Sequence, residues 1–114
     1  MRCSPISFLV ADVTSSSLKL PRGTEIVIAG FPCIDVSIAG LKKGAFGPHT
    51  GLWVHVPRLL SEARSRGAPI PFVLMENVPG LLLSYGGGRP AISHIVESLE
   101  SLGYNWAYRT VCAR

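Results

Sequence analysis

The run Glu25-Ile26-Val27-Ile28-Ala29-Gly30 constrains this chain more than any other stretch. It is short, apolar and β-branched, the pattern of a buried strand, and it stops at a glycine. Pro32 and Cys33 follow at once, so the cysteine is held by a rigid element yet stands outside it. A second apolar run, Phe72-Val73-Leu74-Met75, delivers Glu76-Asn77-Val78-Pro79-Gly80 in the same way. In an open α/β sheet, ligands bind beyond the carboxyl ends of the strands. A thiol at one such end and a carboxylate at another point to nucleophilic chemistry assisted by an acid.

The rest of the chain fits around these two runs. Ile6 to Val10 reads as a short buried strand, and the serine-rich stretch from Asp12 to Arg22 reads as a loop. Glu25 to Ala29 is the next strand. Residues 30–50 carry glycines, prolines and lysines without clear periodicity, and a loop of that length is usually functional. A helix is predicted from about Gly51 or Pro57 to Arg66, with Leu59, Leu60 and Ala63 inward and Glu62, Arg64 and Arg66 toward water. Pro57 suits a first turn better than a helix interior. Pro71 to Met75 is a strand, and Leu81 to Arg89 a glycine-rich loop. Pro90 to Leu102 is a helix with Ile92, Ile95, Val96 and Leu99 at helical spacing, and Gly103 is its natural stop. Tyr104 to Val111 closes with a strand. Strands alternating with helices give an α/β fold, arranged as the second half of a doubly wound sheet.

At 114 residues this is a single small domain, 1–114, and a 47% hydrophobic share with a mean hydropathy of +0.35 favours a buried sheet over disorder. Every apolar run is interrupted before it is long enough to cross a bilayer. Arg2 and the apolar patch after it lead to Asp12 without a convincing cleavage site, which argues against a signal peptide. Three widely spaced cysteines, Cys3, Cys33 and Cys112, favour reduced thiols and an intracellular setting, the nucleus if the source is eukaryotic. A net charge of +4 and a pI near 9.3 are compatible with a polyanionic partner but do not identify one.

The segment Gly30-Phe31-Pro32-Cys33-Ile34-Asp35-Val36-Ser37-Ile38-Ala39-Gly40 resembles the catalytic loop of the DNA (cytosine-5) methyltransferases, and Met75-Glu76-Asn77-Val78 resembles their glutamate motif. Gly51-Leu52-Trp53 falls where that family opens the intervening helix. Leu102-Gly103-Tyr104 with Tyr108-Arg109-Thr110-Val111 is similar to the helix end and strand after the glutamate. The resemblance covers most of the chain, from about Glu25 to Arg114. It implies a partial Rossmann-like, S-adenosylmethionine-dependent methyltransferase fold acting on DNA.

That resemblance assigns roles residue by residue. Cys33 is the thiolate that adds to carbon 6 of cytosine, turning carbon 5 into a nucleophile toward the cofactor's methyl group. Pro32 stiffens the turn, and Gly30 lets the backbone approach closely. Negative charge spreads onto N3 during the addition, and Glu76, kept neutral by burial, donates a proton to that edge, with Asn77 orienting it. Ser37, Gly40, Lys42 and Lys43 lie on the loop that closes over the DNA near a flipped base. Asp12 matches an acidic position at the adenine edge of the cofactor, and Gly30 and Leu52 also fall on the cofactor side. Ile34 departs from the glutamine common after the cysteine, which touches a polar contact near the base but not the nucleophile.

Other readings of the same residues stay open. Cys33 could be a buried structural cysteine and Glu76 a solvated strand-end carboxylate; the two lysines could be ordinary loop charges. A thiol–histidine pair of Cys33 with His49, His55 or His94 has no supporting motif. Gly86-Gly87-Gly88 lacks the lysine and preceding strand of a phosphate loop. Cys3 and Cys112 read as packing residues. Neither the glycine-rich cofactor turn nor the acidic ribose partner of the family is present before Gly23, so the chain is expected to be an internal segment of a larger enzyme. The alternatives are a non-catalytic remnant that binds nucleic acid or a protein partner, and a methyltransferase acting on RNA cytosine.

Overall fold

The computed structural model describes residues 8–30, 51–77, 79–82 and 89–112. Two strands, β1 (Ile26–Gly30) and β2 (Phe72–Glu76), pair in parallel with Ile26 opposite Phe72, Ile28 opposite Leu74 and Gly30 opposite Glu76. Each strand lies one residue later than its sequence pattern suggests. Pro71 has no N–H to give, so the ladder opens at Phe72, whose N–H donates to the Glu25 carbonyl at 3.2 Å.

Helix α1 (Gly51–Ser65) connects the strands, making a β–α–β unit. It begins ahead of Pro57 and runs through it, whereas the proline alone suggested a start there. A proline in a helix interior removes one backbone bond and is disfavoured by about 3 kcal/mol. The first turns persist because Trp53, 3% exposed, is seated in the core with Val56 packed against it. After the short 3₁₀ segment Pro79–Leu82, helix α2 runs from Ala91 to Ser101.

Both helices end by the same device. Gly67 and Gly103 adopt φ of +78° and +87°. Ala68 N–H returns to the Ala63 carbonyl at 2.9 Å and Gly67 N–H to Arg64 at 3.0 Å. Tyr104 and Gly103 repeat this on Leu99 and Glu100, at 3.1 and 2.9 Å. Each glycine thereby closes a Schellman motif.

One core serves the whole unit. Trp53, Leu60 and Ala63 of α1 meet Ile95 and Leu99 of α2, with Ile70 between, and Val27, Val73 and Met75 pack against them from the sheet. In α2 the buried stripe is Ala91, Ile95 and Leu99; Ile92 and Val96, read as inward, are only half-buried. Tyr104 hooks on by donating its hydroxyl to the Ile70 carbonyl at 2.6 Å, and burial pushes its pKa up. The opposite sheet face, Ile26, Ile28, Phe72 and Leu74, is 50–69% exposed among the described residues.

Three sequence expectations are corrected. Phe8, Leu9 and Val10 are exposed and in no strand, so the described part of the first expected strand has no ladder partner. Tyr104 to Val111 likewise forms no ladder among the described residues; Trp106 instead stacks on Tyr108, 6.0 Å between centroids. Cys112 is exposed rather than packed. Cys3 and the triple glycine at 86–88 lie outside the described residues.

Candidate active site

A strand order set by parallel pairing puts the ends of β1 and β2 at one edge. Gly30 and Glu76 are register partners there, and a Cβ built on Gly30 would lie 3.7 Å from Glu76 Oε2. That is ordinary contact, so glycine is not sterically required at position 30. Its φ is not positive either. What Gly30 does is leave open the space beside the Glu76 carboxylate. Asn77 follows, half-buried, with its polar group engaged.

The burial expected around Glu76 is not supplied by the described residues: its side chain is exposed. Strand β2 ends there, and the core-facing positions of the strand are Val73 and Met75, which places Glu76 on the open face with Phe72 and Leu74. Pro32, Cys33, Ser37, Gly40, Lys42 and Lys43 lie outside the described residues. Leu52 falls in the first turn of α1.

The N-terminus of α1 points to the same edge. The connection from Ser65 to Phe72 is short, so the end of α1 must lie near the start of β2. A helix of 15 residues then carries its first turn about 22 Å back toward the carboxyl ends of the strands.

Asp12 is held against that half of α1. Its Oδ1 accepts the Thr14 hydroxyl at 2.7 Å and the Thr14 N–H at 2.8 Å, an Asx turn. These two bonds hold the carboxyl below its ordinary value of 3.8. Arg58 Nη2 donates to the Val13 carbonyl at 2.8 Å, and its Nε donates to His55 Nδ1 at 3.2 Å. Eight residues further, just past the end of α1, Arg66 donates to the Leu20 carbonyl and pairs with Glu62 at 3.4 Å. Glu62 and Arg66 were read as a wet face; they are half-buried and staple the irregular N-terminal segment to the helix. The sequence offered one signal for this, the four-residue spacing of Arg58, Glu62 and Arg66.

Two clefts of the described residues lie elsewhere. One of about 370 Å³ sits at the amino end of β2, between Arg64, Ile70 and Tyr104. Another of about 440 Å³ lies between α2 and the Trp106–Tyr108 pair. No group of three or more His, Cys, Asp or Glu that could hold a metal occurs among the described residues, and none of their helices is long and apolar enough to cross a membrane.

Comparison with known proteins agrees with the motif reading. The family described as C-5 cytosine-specific DNA methylase matches residues 7–114. The chain is similar to the type II methyltransferase M2.BsuMI of Bacillus subtilis (strain 168), 43% identical over 105 residues, which are 92% of this chain and 26% of that protein. It is similar to the type II methyltransferase M.SsoII of Shigella sonnei, 36% identical over 103 residues, 90% of this chain and 25% of that one. The orphan methyltransferase M.SssI of Spiroplasma monobiae is 31% identical over 100 residues, 85% of this chain and 24% of that one. The chain thus spans about a quarter of the length of these relatives. No solved structure matches.

Proposed function

The chain belongs to the C-5 cytosine-specific DNA methylase family, and from that premise we propose that it carries the catalytic edge of an enzyme methylating carbon 5 of cytosine in DNA. The methyl donor in this reading is S-adenosylmethionine. The observation that carries the reading is the pairing of Gly30 with Glu76 at the carboxyl ends of parallel strands, with Pro32 and Cys33 immediately after the first.

The chemistry follows from what each residue can do. Cytosine C5 is a poor nucleophile while its ring is aromatic. The Cys33 thiolate adds to C6, and the electron pair moves through the ring toward N3, where the Glu76 carboxyl donates a proton. C5 then attacks an electrophilic methyl, which a sulfonium donor supplies. Loss of the C5 proton to solvent and expulsion of the Cys33 thiolate restore the aromatic ring, and the N3 proton returns to the Glu76 carboxylate, which regains its acid form. Glu76 is exposed in the described residues, so in this mechanism the bound base covers it. Asn77 orients Glu76. Ser37, Gly40, Lys42 and Lys43 contact the DNA around the flipped base.

The residues present fit one part of the donor. Asp12 is an exposed carboxylate, held ionised by Thr14, and such a group accepts the N–H bonds of an adenine amino group. Gly30 and Leu52 lie toward the same edge and complete the cofactor side.

The test is methyl transfer by the longest natural polypeptide containing these residues, read as 5-methylcytosine formed in DNA. Glu76→Gln keeps the shape and loses the acid, so turnover falls by roughly a hundred- to ten-thousand-fold, the range of general acid–base catalysis. Turnover near that of the unaltered protein would remove Glu76 from the acid role.

A further inference from the structure

We propose that Arg58, braced by His55, is a positioning residue that aims the Asp12 carboxylate at the adenine edge of the methyl donor. This rests on the reading of Asp12 given above and adds to it the group that fixes where the carboxylate stands.

The Asp12–Thr14 turn is locally complete. Asp12 Oδ1 takes both bonds from Thr14, and Ser15 N–H closes onto the Asp12 carbonyl at 3.1 Å. Those bonds shape the turn but do not attach it to anything. The residues before it, Phe8 to Val10, are exposed and in no strand. The attachment is the Arg58 bond to the Val13 carbonyl, which spans 45 residues of sequence and lands on the residue next to Asp12.

Arg58 is itself aimed. Its Nε donates to His55 Nδ1, one helical turn away, so that nitrogen serves as the acceptor that steadies the guanidinium. The guanidinium fork thereby satisfies two acceptors in one plane, which a lysine ammonium cannot reproduce in full. Both residues belong to α1, whose Trp53 and Leu60 are anchored in the core. The route is thus core, helix, guanidinium, carbonyl, carboxylate. The Arg66 bond to Leu20 holds the same segment at a second point, eight residues after Asp12.

The experiment uses the longest natural polypeptide containing these residues. S-adenosylmethionine binding is measured by calorimetry, DNA binding separately, and exchange of the Thr14 amide by NMR. Arg58→Ala and the less disruptive Arg58→Gln should each weaken S-adenosylmethionine binding about tenfold, the loss expected for a hydrogen bond from a charged donor. DNA affinity should not change, and the Thr14 amide should exchange faster. Arg58→Lys should recover part of the affinity. In an Asp12→Ala background the effect of Arg58→Ala should vanish, because there is no carboxylate left to aim. An equal loss with and without Asp12 would show a merely structural arginine and overturn the proposal, as would an unchanged Thr14 amide. Full cofactor affinity in Asp12→Ala alone would overturn the reading of Asp12, and the role of Arg58 with it; faster Thr14 exchange in Arg58→Ala would then mark the failure as one of the cofactor reading and not of the attachment.

Discussion

The two helix-ending glycines make a matched pair whose substitutions should differ by one identifiable contact. Gly67 and Gly103 share the left-handed conformation, at φ +78° and +87°. An alanine Cβ at 67 would meet no atom within 4 Å, while at 103 it would lie 2.7 Å from Arg64 Nη1. The left-handed backbone disfavours a non-glycine residue by roughly 1–2 kcal/mol, and the stiffer unfolded chain returns about 0.4–1 kcal/mol of that. Gly67→Ala should therefore destabilise by about 1 kcal/mol. Gly103→Ala carries the same term and also drives Arg64 away from the Leu102 carbonyl to which it donates. Arg64 is exposed, so that bond is worth about 0.5 kcal/mol. Urea unfolding followed by circular dichroism reads both. With m near 1 kcal/mol/M for a chain this small, the midpoints should fall by about 1 M and about 1.5 M at unchanged m. In an Arg64→Ala background the excess at 103 should disappear. Equal midpoints for the two single variants, or an excess that survives removal of Arg64, would refute the contact as its cause.

Pro57→Ala restores a backbone bond inside α1 and should raise the thermal midpoint; a lower midpoint would mean the proline is needed where it stands. The Asp12 carboxyl is held below its ordinary 3.8 by Thr14, so an NMR titration should place its midpoint below that value, and Thr14→Val should move it back upward. Because the folded value is lowered, any stability the turn contributes is present above pH 4 or so and is lost as pH falls through the folded midpoint. A midpoint that does not move in Thr14→Val would remove the Thr14 hydroxyl as its cause.

What the sequence made legible was local. A β-branched run, a second apolar run, an apolar helical stripe and a glycine stop name β1, β2, α2 and the core residues Leu59, Leu60, Ala63, Ile95 and Leu99, because burial repeats at the period of the element. Of the two helix starts the sequence offered, Gly51 is the one found, since a propensity of a few kcal/mol against Pro57 is outweighed when Trp53 seats the preceding turn in the core. Tyr104 to Val111 and the described part of Ile6 to Val10 have strand-like composition but no ladder among the described residues, because a strand exists only with a neighbour to bond. Glu76 is of the same kind. Its place at the end of β2 was readable, while the sequence left both a buried acid and a solvated carboxylate open, because burial belongs to what surrounds a residue. The attachment of Val13 by Arg58 joins positions 45 residues apart and leaves no periodic trace.

The central claim is that the thiol delivered past the end of β1 is the nucleophile, and covalent capture measures it most directly. DNA containing 5-fluorocytosine cannot lose a proton from carbon 5 after methyl transfer, so the C6–sulfur bond cannot be broken by elimination. With S-adenosylmethionine present, the longest natural polypeptide containing these residues should give a denaturant-stable protein–DNA band, and mass spectrometry should place the adduct on Cys33. Cys33→Ala should give no such band. An undiminished band in Cys33→Ala, or an adduct mapped to Cys3 or Cys112, would contradict the account.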